Sequence, residues 1–364
     1  MSEAQRCPTP DAAPAETISA EAASKVDDCL RTRTRKDFQT SQEVRWCPGC
    51  GDHAILTQVQ KTLVNLAIPR ENLVFVSGIG CSSRFPYYIN TYGFHGIHGR
   101  APAIAMGVKC ANPELSVWVI TGDGDGLSIG TNHLIHCLRR NLDITILLFN
   151  NRIYGLTKGQ YSPTSEFGKQ TKSSPGGTIE QPIRPVQVAL ASEATFVART
   201  IFADPTHLGQ TLEAAARHKG TSFVEILQDC RIFNEGAFRT MTEKAAKEET
   251  RILLEHGEPI VFGADKRKGI AERNLAPHIV DLDADGNDES ELLVHDVTAT
   301  SPALAALLAS LEPPEFPTAL GVFRSVQKPT YDELIMDQIR QFKAARGPGD
   351  VDRLLHAGTT WEVR

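Results

Sequence analysis

The sequence predicts an α/β fold built on a parallel sheet, with a disordered N-terminal tail and an irregular C-terminal extension. Three observations carry that expectation. Apolar runs of strand length alternate with segments of helical period through the middle of the chain. Two of the runs, 117–121 (VWVIT) and 144–149 (ITILLF), lead into Gly122-Asp123-Gly124-Asp125 and Asn150-Asn151. A helix-compatible segment joins them, so the strands, if parallel, bring both loops to one carboxyl edge, where α/β sheets bind ligands.

Residues 1–42 are rich in Ala, Ser, Thr, Pro and charge, the composition of a disordered tail, and they contain Cys7, Cys29 and the small basic run 31–36. Order begins at Trp46-Cys47-Pro48-Gly49-Cys50-Gly51-Asp52-His53. Behind it Ile55, Val59, Leu63 and Leu66 recur at helical spacing. A Cys-x-x-Cys at this helix entrance admits a redox dithiol, half of a zinc site, or part of an iron–sulfur cluster. Residues 73–77 read as a buried strand ending in Gly78-Ile79-Gly80-Cys81-Ser82-Ser83-Arg84. The segment from Gly93 to Arg100 (GFHGIHGR) precedes a helix at 101–111. Basic and imidazole groups before a helix start suit an anion, although His95 and His98 can equally cap or pack the turn.

Cys110 and Cys137 fall on or near apolar helix faces and read as core thiols. After Asn151 a polar, Gly/Pro-rich stretch runs to Gly177, long enough for a functional cover or an interface segment. Alternation then resumes: helix 186–190, strand 195–199, helix 205–218 and strand 223–227, which ends in Gln228-Asp229-Cys230. From about 235 the alternation fades. Residues 240–256 are charged and helix-compatible, 281–289 form an acidic turn without EF-hand flanks, and 322–338 read as segments laid on the domain or a partner. The boundaries expected are 1–42, 43–235 and 236–364.

Composition narrows the function classes. The chain has 364 residues, 41% hydrophobic and 23% charged, which suits one large or two moderate globular domains. A net charge of −6 gives no basic footprint for nucleic acid. No apolar run reaches the ~18 residues of a membrane span. Eight cysteines without an export signal suit thiols or metal ligands in a reducing compartment, the cytoplasm.

The two strand-end loops suggest a chemistry. Glycines let the backbone approach a phosphate, and Asp123 and Asn151 offer hard oxygen ligands to Mg²⁺, which keeps diphosphate oxygens in its octahedron. The GDG, the 28-residue interval (151 − 123) and the NN pair resemble the thiamine-diphosphate motif. The resemblance implies that Asp123, the Asn151 side chain and the Ile153 carbonyl bind Mg²⁺. It further implies that Gly122, Gly124, Asp125, Gly155 and Leu156 surround the cofactor.

Cys47, Cys50, Cys81 and Cys230 form a second constellation. Two open the first helix, one follows an early strand and one a late strand, so a parallel sheet can gather them. Four thiolates suit a [4Fe–4S] cluster or tetrahedral zinc. The blocks WCPGCG, GIGCSS, HGIHGR, TGDGDG, NNRIYGLTKGQ-SPT and QDCRIFN stand here in the order found in β subunits of 2-oxoacid:ferredoxin oxidoreductases, and the chain resembles that family over about 46–234. A weaker likeness covers 322–337.

That resemblance implies that Cys47, Cys50, Cys81 and Cys230 hold a [4Fe–4S] cluster. It places Gly80, Cys81 and Ser82, with His98 and Arg100, around the diphosphate. Lys158 and His98 become the catalytic candidates, Lys158 meeting the distal carboxylate of 2-oxoglutarate; Arg84 is a second candidate for that task. Asp229 departs from the family's usual Pro, and an acid there should lower the cluster's potential if it points inward. The implied reaction is CoA-dependent oxidative decarboxylation of a 2-oxoacid, 2-oxoglutarate to succinyl-CoA, with electrons passing to ferredoxin. Pyruvate or a broad 2-oxoacid range is the alternative.

The chain has one GDG–NN module and no second α/β alternation, so an obligate α subunit should carry the pyrimidine domain, in an αβ heterodimer or (αβ)₂. Two rivals remain: a non-redox thiamine enzyme stapled by zinc, and a Cys₄ zinc interaction subunit whose cofactor loop is not catalytic.

Overall fold

The computed structural model describes residues 32–284 and 288–363. Most of the expected tail, with Cys7 and Cys29, therefore lies outside the described residues, as do residues 285–287 of the acidic turn. The described chain joins the core ahead of residue 43: Phe38, at the end of a 3₁₀ turn at Arg35–Phe38, is fully buried.

The centre is an eight-stranded sheet of order β2-β1-β3-β4-β6-β5-β11-β7. Its parallel body comprises β1 (Leu73–Ser77), β2 (Tyr92–His95), β3 (Ser116–Gly122), β4 (Ile144–Asn150), β5 (Phe196–Ile201) and β6 (Ser222–Leu227). Side chains alternate across each strand, and both faces are covered. Phe75, Trp118, Leu147 and Phe149 face α1 (Asp52–Leu66) and α6 (Pro205–Arg217), contributed through Ile55, Val59, Leu63, Leu208 and Leu212. Val74, Val76, Val119, Ile146 and Leu148 face the opposite layer, where α3 (Ala101–Ala111), α4 (Thr131–Arg140) and α5 (Pro185–Ala191) pack.

The C-terminal third packs on this domain, and it is more regular than its pattern suggested. The segment expected to be helical at 240–256 forms two single turns, Arg239–Thr242 and Lys247–Thr250, and then β7 (Arg251–Leu253). Tertiary pairing overrides the charged local composition: β7 lies parallel to β11 (Thr318–Ser325), and Ile252 is fully buried beside Ala319. Strand β11 in turn runs antiparallel to β5, which extends the sheet past its parallel body. A separate three-stranded antiparallel sheet holds β8 (Val261–Phe262), β9 (Lys268–Arg273) and β10 (Ala276–Asp281). Among the described residues no helix is long and apolar enough to cross a membrane.

One buried ion pair crosses the parallel body. Arg199 Nε on β5 donates to Glu225 Oε2 on β6 at 2.6 Å, with both side chains 5% exposed or less. Asn150 Nδ2 donates to the other oxygen at 2.7 Å. Removing the cation leaves a carboxylate with no means of rehydration. Arg199→Met is therefore expected to destabilise the chain by about 3–5 kcal/mol in urea unfolding. A loss under about 1 kcal/mol would show that Glu225 finds another cation or a proton.

Candidate active site

Four of the parallel strands deliver loops to one edge. Register aligns them: Ser77 lies beside Ile120, Gly122 beside Phe149, and Asn150 beside Leu227. The ends of β1, β3, β4 and β6 therefore open on a shared cleft of about 600 Å³, part of it open to solvent. Gly80, Cys81, Ser82, His98, Gly122, Asp123, Gly124, Asp125, Asn151, Ile153, Gly155 and Leu156 all line it. Ile79, Phe149, Tyr154, Thr157 and Gln228 complete the wall.

Two glycines are required by geometry. Gly80 has φ +135°, a backbone state closed to side-chain-bearing residues. Gly124 lies under the Tyr154 ring, so a Cβ there would stand 2.1 Å from a ring carbon. Tyr154 also donates its hydroxyl to the Gly124 carbonyl at 3.1 Å, which pins the turn after β3 against the loop after β4. Directly beyond, the chain makes a π turn at Asp125–Ile129 before α4.

Asp123 is 3% exposed. Its Oδ2 accepts from Ser162 Oγ at 2.5 Å and Thr164 Oγ1 at 2.7 Å. Burial pushes the carboxyl up to about 6 against the pull of those hydroxyls. Asn151 Oδ1 accepts from Ile153 N at 3.1 Å, which folds the chain back and brings Ile153 to the cleft wall. A buried carboxylate, an amide oxygen and a turn carbonyl in one wall are a hard-oxygen donor set that fits Mg²⁺.

Asp125 is placed differently from its neighbour. It borders the cleft, but Oδ1 accepts from Ile79 N, Gly99 N and His98 Nδ1 at 3.0, 2.7 and 2.5 Å, and Oδ2 from Thr121 Oγ1 at 2.7 Å. Its carboxylate ties three loops together. His98 thus carries its proton on Nδ1 and leaves Nε2 for a ligand. His95 packs the turn, within hydrogen-bond distance of the Ser83 carbonyl. Arg100 does not border the cleft; its Nη1 donates to the His98 and Ile129 carbonyls.

Two of the four cysteines stand at the same wall, and the other two lie near them. A Cβ on Gly155 would stand 3.3 Å from the Cys230 sulfur and 3.7 Å from that of Cys81. Cys50 and Cys81 each feel Cys230, and Cys81 also feels Cys47. Gly51 N reaches the Asp229 carbonyl at 3.4 Å, and the Trp46 indole Nε1 donates to the Cys81 carbonyl at 2.6 Å, so hydrogen bonds to backbone carbonyls join the three cysteine loops. Burial pushes the Cys81 thiol up to about 12 and that of Cys50 further, with the Asp52 carboxylate next in effect on both. Cys137 is buried in the core and Cys110 half-buried beside it, as their helical positions suggested.

Asp52, not Asp229, is the acid that bears on Cys50 and Cys81. It is fully buried, and burial pushes it up to about 7 while a hydrogen bond from the adjacent Cys50 thiol pulls it down. Asp229 turns one oxygen to Gly236 N at 3.2 Å. Lys158 is not in the cleft wall. It is exposed, with φ +78°, in a neighbouring open groove with Gln170, Lys172 and Phe233. Arg84 does not border the cleft; its Nη1 donates to the Arg45 carbonyl at 3.2 Å.

Comparison with known proteins identifies the class. The family described as thiamine pyrophosphate enzyme, C-terminal TPP binding domain, matches residues 78–226, the span that supplies all but the last of the cleft loops. The chain therefore carries a thiamine-pyrophosphate-binding domain.

The relatives narrow it further. The 2-oxoglutarate oxidoreductase subunit KorB of Mycobacterium tuberculosis is 53% identical over 331 residues, 90% of this chain and 88% of that protein. The β subunit of 2-oxoacid:ferredoxin oxidoreductase 1 of Aeropyrum pernix is 46% identical over 206 residues, 57% of this chain and 65% of that protein. Among solved structures, 2-oxoglutarate:ferredoxin oxidoreductase from Magnetococcus marinus, with 2-oxoglutarate, coenzyme A and succinyl-CoA bound, superposes with a TM-score of 0.69 at 30% identity. That match covers 90% of this chain and 97% of the other. The chain belongs to the β subunits of the 2-oxoglutarate and 2-oxoacid oxidoreductases.

Proposed function

We propose that this β subunit binds Mg²⁺ and thiamine diphosphate in the cleft and a [4Fe–4S] cluster on Cys47, Cys50, Cys81 and Cys230, and serves the CoA-dependent oxidation of 2-oxoglutarate to succinyl-CoA. The observation that carries it is the Gly155 contact: two of the four sulfurs stand against the loop that also brings Ile153 to the cofactor cleft. Among the described residues no three His, Cys, Asp or Glu side chains close on a single metal ion.

The protein's part is positional. Asp123, Asn151 and the Ile153 carbonyl would hold the cation, and His98, fixed through Nδ1 by Asp125, would line the diphosphate side. Ile79, Phe149, Ile153 and Leu156 supply apolar wall that keeps bulk water out. The thiamine cofactor supplies carbanion chemistry at the 2-oxo carbon, and an adjacent cluster supplies a one-electron acceptor. The two electrons released per CO₂ go to ferredoxin.

An α subunit completes the site. Edge strand β2 and the turn after it expose Tyr92, Phe94 and Ile97, at 64%, 48% and 72%, next to His98 of the cleft. An exposed apolar sheet edge of this kind calls for a covering partner. The assembly is αβ or (αβ)₂.

Co-expression with the α subunit and anaerobic purification test the reading. Iron, acid-labile sulfide and thiamine diphosphate in proportion to the chain support it. Zinc without sulfide overturns the redox role.

Lys158 carries the substrate preference. It follows Thr157 of the cleft wall in the chain and lies exposed in the neighbouring groove. Lys158→Ala should raise KM for 2-oxoglutarate about tenfold, the size of one ion pair partly shielded from water, with little change for pyruvate. An equal change for both substrates would remove that role.

A further inference from the structure

We propose that Ser162 and Thr164 clamp the long loop at 152–184 onto the metal-binding carboxylate of Asp123, so that loop order and cation binding are coupled. This rests on the magnesium reading above. Both hydroxyls are buried, at 3% and 4% exposure, and both converge on a single atom, Asp123 Oδ2. At 2.5 and 2.7 Å the contacts have the length of hydrogen bonds to an ionised oxygen. They occupy Oδ2 and fix the rotation of the carboxylate.

The clamp is itself braced. Ser165 Oγ accepts from Ser162 N at 2.8 Å and donates to the Arg152 carbonyl at 2.6 Å, closing the segment on the start of its own loop. Pro163 O accepts from Ile183 N at 2.8 Å, which ties in the loop's far end.

The proton inventory then settles which way Thr164 donates. Its one hydroxyl proton has two acceptors in reach, Asp123 Oδ2 at 2.7 Å and Asn150 Oδ1 at 2.9 Å. Asn150 presents its Nδ2 to Glu225, an acceptor-only carboxylate, so its Oδ1 must face the loop. There Arg152 N already serves it at 3.2 Å. The Thr164 proton is thereby free for Asp123. Ser162 and Thr164, both donating to Oδ2, are thus positioning residues for the metal-binding acid.

The test uses the αβ complex, with Mn²⁺ and thiamine diphosphate as probes. Paramagnetic resonance of free Mn²⁺ reads affinity, and amide hydrogen exchange reads the loop. Ser162→Ala with Thr164→Val should weaken Mn²⁺ about tenfold, the size of one or two lost charge-assisted hydrogen bonds, and speed exchange across 152–184 before any ligand is added. Thr164→Ser, which keeps the hydroxyl, should behave as wild type. Affinity within about twofold of wild type, with unchanged exchange, overturns the clamp. A wild-type complex that binds no Mn²⁺ with thiamine diphosphate overturns instead the magnesium reading, and exchange in the ligand-free variants still decides the clamp.

Discussion

Replacing Cys81 with serine is expected to strip the anaerobically purified complex of its brown colour and to leave iron and acid-labile sulfide below about a tenth of wild type. Cys81 follows β1, lines the cofactor cleft and shares the Gly155 surface with Cys230. Free of metal, its thiol is held protonated by burial, by Asp52 and by the other thiols. Only a cationic centre repays four thiolates gathered beside a buried acid. A hydroxyl at this position keeps the shape and loses the soft ligand. Cys110→Ser is the control: that residue lies on α3, among the core helices, and its substitution should leave iron and sulfide unchanged. Equal loss in both variants would point to misfolding, and loss in neither would remove Cys81 from the cluster.

Asp123→Asn should weaken thiamine diphosphate with Mg²⁺ on the order of a hundredfold, about 2.7 kcal/mol. The same substitution should raise the melting temperature of the ligand-free chain at neutral pH. The sign follows from the raised carboxyl. Folded Asp123 titrates at about 6, above its ordinary 3.8. Between those values the folded state binds more protons than the unfolded one, so stability falls as pH rises through that window and stays low above about 6. Asn carries no such penalty. The variant's advantage should therefore be full near pH 7.5 and shrink toward pH 4–5, where wild-type Asp123 is protonated. Saturating Mg²⁺ and thiamine diphosphate should reverse the order at neutral pH, because the cation compensates the buried charge only in wild type. Differential scanning fluorimetry at the two pH values, with and without ligands, checks all three signs. Unchanged cofactor affinity would remove Asp123 from the metal site.

Much of the parallel body was legible because buried strands read as continuous apolar runs. The run 73–77 coincides with β1, and 117–121 and 144–149 fall inside β3 and β4. Strands β7 and β11 were not legible. One is three residues long at an edge, and the other carries the buried Arg324 in a run that reads as amphipathic. In the cleft, short-range turn chemistry announced itself: the GDG turn, the NN pair and the Gly80 loop all border it. What escaped were contacts set by loop return. Ser162 and Thr164 stood inside a motif block, yet nothing local says that they close on Asp123 some forty residues earlier. Asp52 drew no reading of its own, because only packing buries it near the thiols. Glu225 left a usable trace, since a lone acid inside the apolar run SFVEIL implies a buried partner, here Arg199. Arg100 looked apt for a phosphate; it does not border the cleft, and its Nη1 donates to the His98 and Ile129 carbonyls.

The account stands on an electron acceptor placed beside the cofactor cleft, and rapid-freeze electron paramagnetic resonance tests that directly. The oxidised αβ complex is mixed with 2-oxoglutarate and CoA, with no ferredoxin present. The signal of a one-electron-reduced [4Fe–4S] cluster should grow in step with CO₂ release and decay when oxidised ferredoxin is added. Turnover that leaves the spectrum silent, or a complex that releases CO₂ with no iron bound, would contradict the account.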